Sequence, residues 1–246
     1  MDKLPQITVA FWIMKITATT LGETGGDWLS MTMNVGYLAS TLVFFSLFVV
    51  AAGTQLAVKK HYPYLYWTVI VATSTAGTTM SDYMDRTLHL GYTKGAAILV
   101  SVLLFLLALW RVTVGNVRVS DIRTRKAEIF YWLTILVSNT LGTALGDFLA
   151  DDSGLGFFGS WLLITGLLAV ILVAATFTRL PKILLFWLAF VLTRPFGATF
   201  GDVLTKTREK GGLDLGTAYS SLILLGLLVL SIFISYRAVP PQKRLA

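Results

Sequence analysis

Long apolar stretches alternate with short polar ones along the whole chain. Eight of them are long enough for a membrane crossing: roughly 7–28, 36–57, 64–83, 94–112, 129–149, 157–178, 182–203 and 215–236. Each is near the about 20 residues with which an α-helix crosses a hydrocarbon core of about 30 Å. The stretches are not alike. The odd-numbered ones carry Thr, Ser, Gly and single charged residues, whereas the even-numbered ones, of which Leu222–Leu230 is typical, are almost purely apolar. This pattern predicts an all-α membrane protein of eight transmembrane helices, with the chemistry on the odd helices and the even helices as scaffold. The connections are short, so residues 1–246 read as a single polytopic membrane domain.

The odd stretches also share one motif in register. An aromatic–Trp pair is followed ten residues later by Gly, fourteen later by Gly or Ser, and fifteen later by Asp. The Trp row is Trp12, Trp67, Trp132 and Trp187; the Asp row is Asp27, Asp82, Asp147 and Asp202. Internal repetition of this kind dictates architecture. It gives four two-helix repeats at 7–57, 64–112, 129–178 and 182–237, with a central cytoplasmic linker at 113–128. A Gly–aromatic signal follows each of the first three Trp residues by 24 positions (Gly36, Gly91, Gly156); in the fourth repeat Gly216 follows by 29, displaced by a charged insertion near Arg208–Gly212.

Composition agrees with the pattern: 55% of residues are hydrophobic, 13% are charged, and the mean hydropathy is +0.73. A soluble domain cannot hide that much apolar surface. The first stretch is too long for a cleaved leader and lacks a small-residue cleavage site, so it reads as a retained helix. The absence of cysteine excludes disulfides, thiolate metal sites and cysteine catalysis. His61 and His89 are too few for a histidine-rich metal site. The net charge of +7 reports topology rather than nucleic-acid binding. Thirteen Lys and Arg residues lie at the two ends and in the even-numbered connections, against five in the others. The positive-inside rule then puts both termini in the cytoplasm. Odd helices run outward, the Asp row lies toward the outer side, and the repeats are parallel rather than inverted.

Depth follows from helix rise. The Asp row lies about 22 Å beyond the Trp row. With Trp as an inner-interface marker, Glu23 falls just past the midplane and Arg194 just before it. Lys15 sits nearer the cytoplasm, where it can snorkel. Ionisable residues at such depth mark functional sites. The small residues at the tenth and fourteenth positions form Gly-x-x-x-Gly or Gly-x-x-x-Ser, the spacing that lets helices approach closely in lipid. Glu23 and Asp27 are four apart and share a helix face; with the hydroxyls of Thr19, Thr20 and Thr24 they offer oxygen ligands of the kind hard cations take. The metal set is therefore Glu23, Asp27, Asp82, Asp147 and Asp202, with Arg194 and Lys15 as counter-charges or gating groups and Thr19, Thr20, Ser74 and Asn139 as polar lining. Within the membrane the acids outnumber Lys15 and Arg194, which favours a cation as cargo. Asp85, Arg86, Asp151 and Asp152 read as solvated charges near the outer mouth. Two structural alternatives stay open: the Asp row as packing hydrogen bonds, and Arg194 as half of a fixed ion pair.

The repeats FWIMKITATTLGETGGDWLSM and YWLTILVSNTLGTALGDFLAD resemble a bacterial integral membrane protein family built from four copies of a Trp- and Gly-Asp-containing repeat of unknown function. The resemblance covers nearly the whole chain and implies a bacterial inner-membrane protein. A second likeness is to manganese and calcium exchangers with a Glu-x-Gly-Asp motif, although Glu23-Thr24-Gly25-Gly26-Asp27 has one residue more. The leading expectation is a secondary transporter, not an enzyme, that carries a cation such as manganese, coupled to protons and with a preference for export. No tightly bound cofactor is expected; the divalent metal is substrate, the bilayer is the partner, and a homo-oligomer is compatible with the sequence. A membrane scaffold or sensor is the alternative. An intramembrane aspartyl hydrolase is a third class, but its Gly-x-Gly-Asp signature fails at Thr24 and Ala144.

Overall fold

The computed structural model describes residues 5–117, 119, 122 and 124–237. Lys3, Arg118, Arg123, Lys243 and Arg244, which contribute to the inner-side charge count, and parts of the 113–128 linker and of both termini lie outside the described residues. Eight α-helices follow in order, and no strand occurs among the described residues: α1 Val9–Asp27, α2 Tyr37–Ala57, α3 Pro63–Asp82, α4 Tyr92–Val114, α5 Arg125–Asp147, α6 Gly156–Phe177, α7 Lys182–Thr205 and α8 Thr217–Arg237. Local chemistry sets several boundaries. Thr8 caps α1 by accepting from the Phe11 N–H at 3.3 Å, and Thr124 caps α5 through the Ala127 N–H at 3.2 Å, each satisfying a donor that the first helical turn leaves free. Pro63 starts α3 at a position where its missing N–H costs nothing. The displaced glycine of the fourth repeat takes the same role as the others: Gly36, Gly91, Gly156 and Gly216 all have positive φ, at 83°, 72°, 65° and 76°.

The four odd helices form a closed ring in the order α1, α3, α5, α7, with α7 returning to α1. Each even helix packs on the outside, against the next odd helix: α2 on α3, α4 on α5, α6 on α7, and α8 on α1. The motif glycines explain the ring. A Cβ at Gly22 would overlap Ser74, one at Gly77 would lie 2.9 Å from the Asn139 carbonyl carbon, one at Gly142 would overlap Arg194, and one at Gly197 would lie 2.8 Å from the Thr19 carbonyl carbon. Each partner holds the same position in the next repeat, seven after its Trp. One turn on, Gly26 faces Thr78, Gly146 faces Ala198 and Gly201 faces Glu23. Two successive contacts in the same direction make the helices parallel and in register. Helices this close exchange van der Waals contact along their backbones, which in lipid is a main source of association.

Six of the helices are long and apolar enough to cross a membrane by themselves: α2, α4, α6, α8, α7, and α5 with its following turn. This makes the chain a multi-pass membrane protein. The sequence pattern put eight such helices here; α1 and α3 fall short because their Thr, Ser and Gly residues face the ring interior instead of lipid. The even helices show the opposite. Only 11–22% of their apolar windows is buried, against 72% for α5, so they present the lipid-facing surface.

The Trp row is packed into the protein. Trp67, Trp132 and Trp187 are buried, and Trp12 is partly so. They pack in an aromatic layer in which Phe11 meets Trp67 at 5.7 Å, Trp12 meets Phe186 at 5.8 Å and Tyr66 meets Trp132 at 5.6 Å. Such pairs contribute about 0.5–1.5 kcal/mol each beyond burial.

Candidate functional site

Residues at every fourth position of the odd helices turn into the ring and stack as layers along its axis. Three positions after the Trp row come Lys15, Ile70, Ile135 and Phe190; seven after, Thr19, Ser74, Asn139 and Arg194; eleven after, Glu23, Thr78, Thr143 and Ala198; fifteen after, the four Asp residues. All sixteen are buried. A step of four residues advances only about 40° around a helix of 3.6 residues per turn, so a slight inclination of the helices keeps one stripe on the axis.

Arg194 is the hub. It is fully buried, and its guanidinium reaches all three other odd helices. Nη1 donates to the Thr19 carbonyl at 3.3 Å and pairs with Glu23 Oε2 at 3.0 Å; Nη2 donates to the Ser74 carbonyl at 3.1 Å, to Thr143 Oγ1 at 2.8 Å and to Thr78 Oγ1. Thr78 and Thr143 also reach Glu23 Oε2, at 3.2 and 3.5 Å. A buried charge is tolerable only when it is paired and hydrogen-bonded; Nη1 and Nη2 share five oxygens, while Nε has no hydrogen-bond partner among the described residues. Helix α7 runs through Pro195 without a break. The glycine of the neighbouring repeat, Gly142, makes room for the Arg194 stem.

One layer outward, the four Asp carboxylates are drawn together by two cations. Lys206 Nζ bridges Asp27 Oδ2 and Asp202 Oδ1, both at 3.1 Å. Arg86 bridges Asp82 Oδ1 at 3.1 Å and Asp147 Oδ2 at 3.4 Å. The carboxylates are almost inaccessible, while the Arg86 and Lys206 side chains keep 31% and 23% exposure, so the cations form a partly wetted lid over buried acids. Burial pulls the Lys206 ammonium down, but Asp202 and Asp27 outweigh it and hold its pKa above the ordinary lysine value. A pKa raised by folding contributes stability that is complete below the unfolded value of about 10.4 and is lost only as pH rises through the folded one. The ammonium therefore stays charged across the neutral range. Lys206→Met should destabilise the protein by about 1–3 kcal/mol, less than a fully buried pair because the ammonium is partly solvated. Thermal unfolding in detergent at neutral pH checks this; an unchanged midpoint would show that the bridge is decorative.

The predicted residues sort as follows. Glu23 and Arg194 meet. One oxygen each from Glu23, Asp147 and Asp202 lie within 4.8 Å of one another. Asp27 and Asp82 belong to the same acidic layer, tied to Lys206 and Arg86, and Asp27 Oδ1 and Asp82 Oδ2 have no hydrogen-bond partner among the described residues. Asn139 donates to Thr73 Oγ1 at 2.9 Å and Ser74 Oγ at 3.3 Å, and Thr19 meets Arg194 through its carbonyl. Thr20 does not line the cluster: it lies one position off the axial stripe, and its hydroxyl bonds the Ile16 carbonyl of its own helix at 2.9 Å. Lys15 does not snorkel. It is fully buried, with Nζ 4.2 Å from the Phe190 ring centroid and no hydrogen-bond partner among the described residues.

Arg86, read from sequence as a solvated mouth charge, and Lys206, one of the five basic residues counted in the odd-numbered connections, are part of the site. The signal was available: each follows its Asp by four residues, continuing the axial stripe. With them, four basic groups face five acids, and the excess negative charge is smaller than the sequence alone suggested. Nor does the Asp row sit at free helix ends. Asp27, Asp82 and Asp147 each lead into a π-type turn, Trp28–Thr32, Tyr83–Thr87 and Phe148–Asp152. Wide turns of this kind recur at functional positions.

The profile of one protein family, a repeat of unknown function known as DUF347, matches the chain four times, at residues 10–61, 65–116, 130–180 and 185–239. The chain belongs to this family. Among curated proteins and among solved structures nothing matches it.

Proposed function

We propose that this member of the repeat family is a secondary transporter of a cation, a divalent metal such as manganese, in a bacterial inner membrane. The observation that carries the reading is the convergence of Glu23, Asp147 and Asp202 from three helices. With their oxygens mutually within 4.8 Å, a point exists about 2.8 Å from all three, close to the about 2.3–2.6 Å at which calcium takes oxygen ligands. A small contraction would seat a hard cation, with the hydroxyls of Thr78 and Thr143 nearby. In this reading α1 and α3 cross the membrane with the other six helices, because they share the register of α5 and α7. Both termini are cytoplasmic, and the acids lie toward the outside.

Arg194 and Lys206 act as tethered competitors. Each fills carboxylate sites when cargo is absent, so an arriving metal exchanges with a charge already present and the buried acids are never left bare. Proton coupling fits the same logic, since a carboxylate released from its partner in a dry site takes up a proton more readily. Outward transport is the preferred direction. A scaffold or sensor remains the second reading; the fixed Arg194–Glu23 pair is the feature that favours it. A hydrolase is less favoured, because paired acid catalysis needs two carboxylates sharing a proton and here each Asp is tied to a cation.

The test is metal-dependent stability of purified protein. A ligand that binds only the folded state at one hundred times its Kd adds about 2.7 kcal/mol. Manganese should raise the unfolding temperature of the native chain, with no rise for Glu23→Gln/Asp147→Asn/Asp202→Asn, whereas Asp151→Asn, at an exposed position, should respond as native. Flux into proteoliposomes loaded with a metal-sensitive dye should follow the same pattern. No shift with manganese, magnesium or calcium would sink the reading.

A further inference from the structure

The chain duplicates in sequence as two halves, α1–α4 and α5–α8, but its ion pairs divide it differently. Five are formed around the ring axis: Arg194–Glu23, Lys206–Asp27, Lys206–Asp202, Arg86–Asp82 and Arg86–Asp147. The inter-helix ones join α7 to α1 or α3 to α5. Among the described residues none joins α1 to α3 or α5 to α7. Several neutral links lie within the same division: Tyr66–Tyr131 at 2.7 Å and Asn139–Thr73 at 2.9 Å tie α3 to α5, and Thr19–Thr193 at 3.1 Å ties α1 to α7; Thr78, which donates to the Gly22 carbonyl at 3.3 Å, crosses it. Adding the outer helices by their main packing gives two bodies. One is α2–α5, a continuous segment; the other is α1 with α6–α8.

We infer that the protein moves as these two bodies, parting along the α1–α3 and α5–α7 seams at the end away from the acids. Electrostatics selects the division. Separating the sequence halves would pull Lys206 from Asp27, Arg86 from Asp147 and Arg194 from Glu23 in a low-dielectric interior, where such separations cost most. Separating the two bodies breaks none of these five ion pairs. On the axis, Glu23, Asp27 and Asp202 stay with Lys15, Arg194 and Lys206, and Asp82 and Asp147 stay with Arg86.

Chain connectivity selects the direction. The chain passes between the bodies twice, at residues 33–36 and 153–155. Both crossings follow the Asp row, and both carry left-handed residues, Asn34 and Gly36 in one, Gly154 in the other. At the opposite end every connection (58–62, 115–124 and 178–181) stays within one body, so opening there stretches no loop. What resists it is hydrogen bonding without an ion pair, including Thr78 and Thr143 to Glu23 Oε2 at 3.2 and 3.5 Å. Across the centre Arg194 donates to Thr78, Thr143 and the Ser74 carbonyl. At the far end His61 meets Tyr236 at 2.9 Å, and Trp187 donates to the Val117 carbonyl at 3.1 Å. The division rests on these contacts alone; that the motion exposes the acidic cluster to the cytoplasm rests on the cation reading.

The chain has no native cysteine, which suits spin-label distance measurement in lipid nanodiscs. Four exposed positions at the far end serve as labels: Val9 on α1 and Phe177 on α6 in one body, Lys60 before α3 and Val112 on α4 in the other. In the otherwise native chain the 9–60 and 112–177 distance distributions should be broader than 9–177 and 60–112. Thr78→Val/Thr143→Val, which removes cross-body bonds and leaves the Arg194–Glu23 pair, should shift the first two and leave the others unchanged. A 9–177 distance that shifts while 9–60 holds would return the division to the sequence halves and overturn the proposal. So would four distances that stay fixed together or change together. Distances that respond to the threonine substitutions but not to calcium or magnesium support the two bodies while counting against the cation reading.

Discussion

Arg194→Leu should destabilise the protein by about 3–5 kcal/mol, the cost of leaving one member of a buried pair without its partner. The stranded group is Glu23, 3% exposed and with its remaining contacts limited to threonine hydroxyls. Removing the charge as well should reverse most of the loss. Arg194→Leu/Glu23→Gln keeps the shape of the acid, lets its amide donate to Thr78 and Thr143, and leaves no uncompensated charge. The double variant should therefore be more stable than Arg194→Leu alone. This departs from additivity in the direction that a coupled pair requires. Thermal or denaturant unfolding of the four proteins of the cycle measures it. Additive losses would mean that Arg194 is held by its carbonyl and hydroxyl acceptors and that Glu23 is incidental.

The second large effect is steric. Gly197→Ala should cost at least the about 1–3 kcal/mol typical of overpacking, because the new Cβ would lie 2.8 Å from the Thr19 carbonyl carbon, and backbone cannot rotate away as a side chain can. Gly226→Ala on α8 is the control. Nothing lies within 4 Å of its Cβ position, and alanine is the better helix former by up to about 1 kcal/mol. One chemical change should therefore have opposite signs on two helices. If both variants were destabilised equally, the ring contact would not be what the motif glycine is for.

These expectations show which links the sequence carried. Glycines at a four-residue spacing already implied close helices, and they are the residues at the seams. Glu23 and Arg194 were legible because each breaks the pattern of its repeat at a depth where an unpaired charge is costly, and the structure pairs them. Arg86 and Lys206 were missed because a charge beyond the last apolar residue is usually solvated. Their spacing of four residues from Asp82 and Asp202 places these two over the acids. The burial of the Trp row was not legible for a related reason. Tryptophan suits both a headgroup layer and a protein core, and the choice depends on neighbours that a single helix does not specify.

The sequence by itself determined the membrane class, the four repeats and the identity of the polar layers, because hydrophobic length and helical period are properties of each segment alone. The tertiary structure decided how the repeats close into a ring, which acids share a cation, and along which seams the molecule is joined by ion pairs or by hydrogen bonds and packing alone. Those depend on pairwise distances between helices far apart in the chain. Four copies of one motif specify the same contact four times, and the ring they form leaves Arg194 and Glu23 at its centre with no choice of partner but each other.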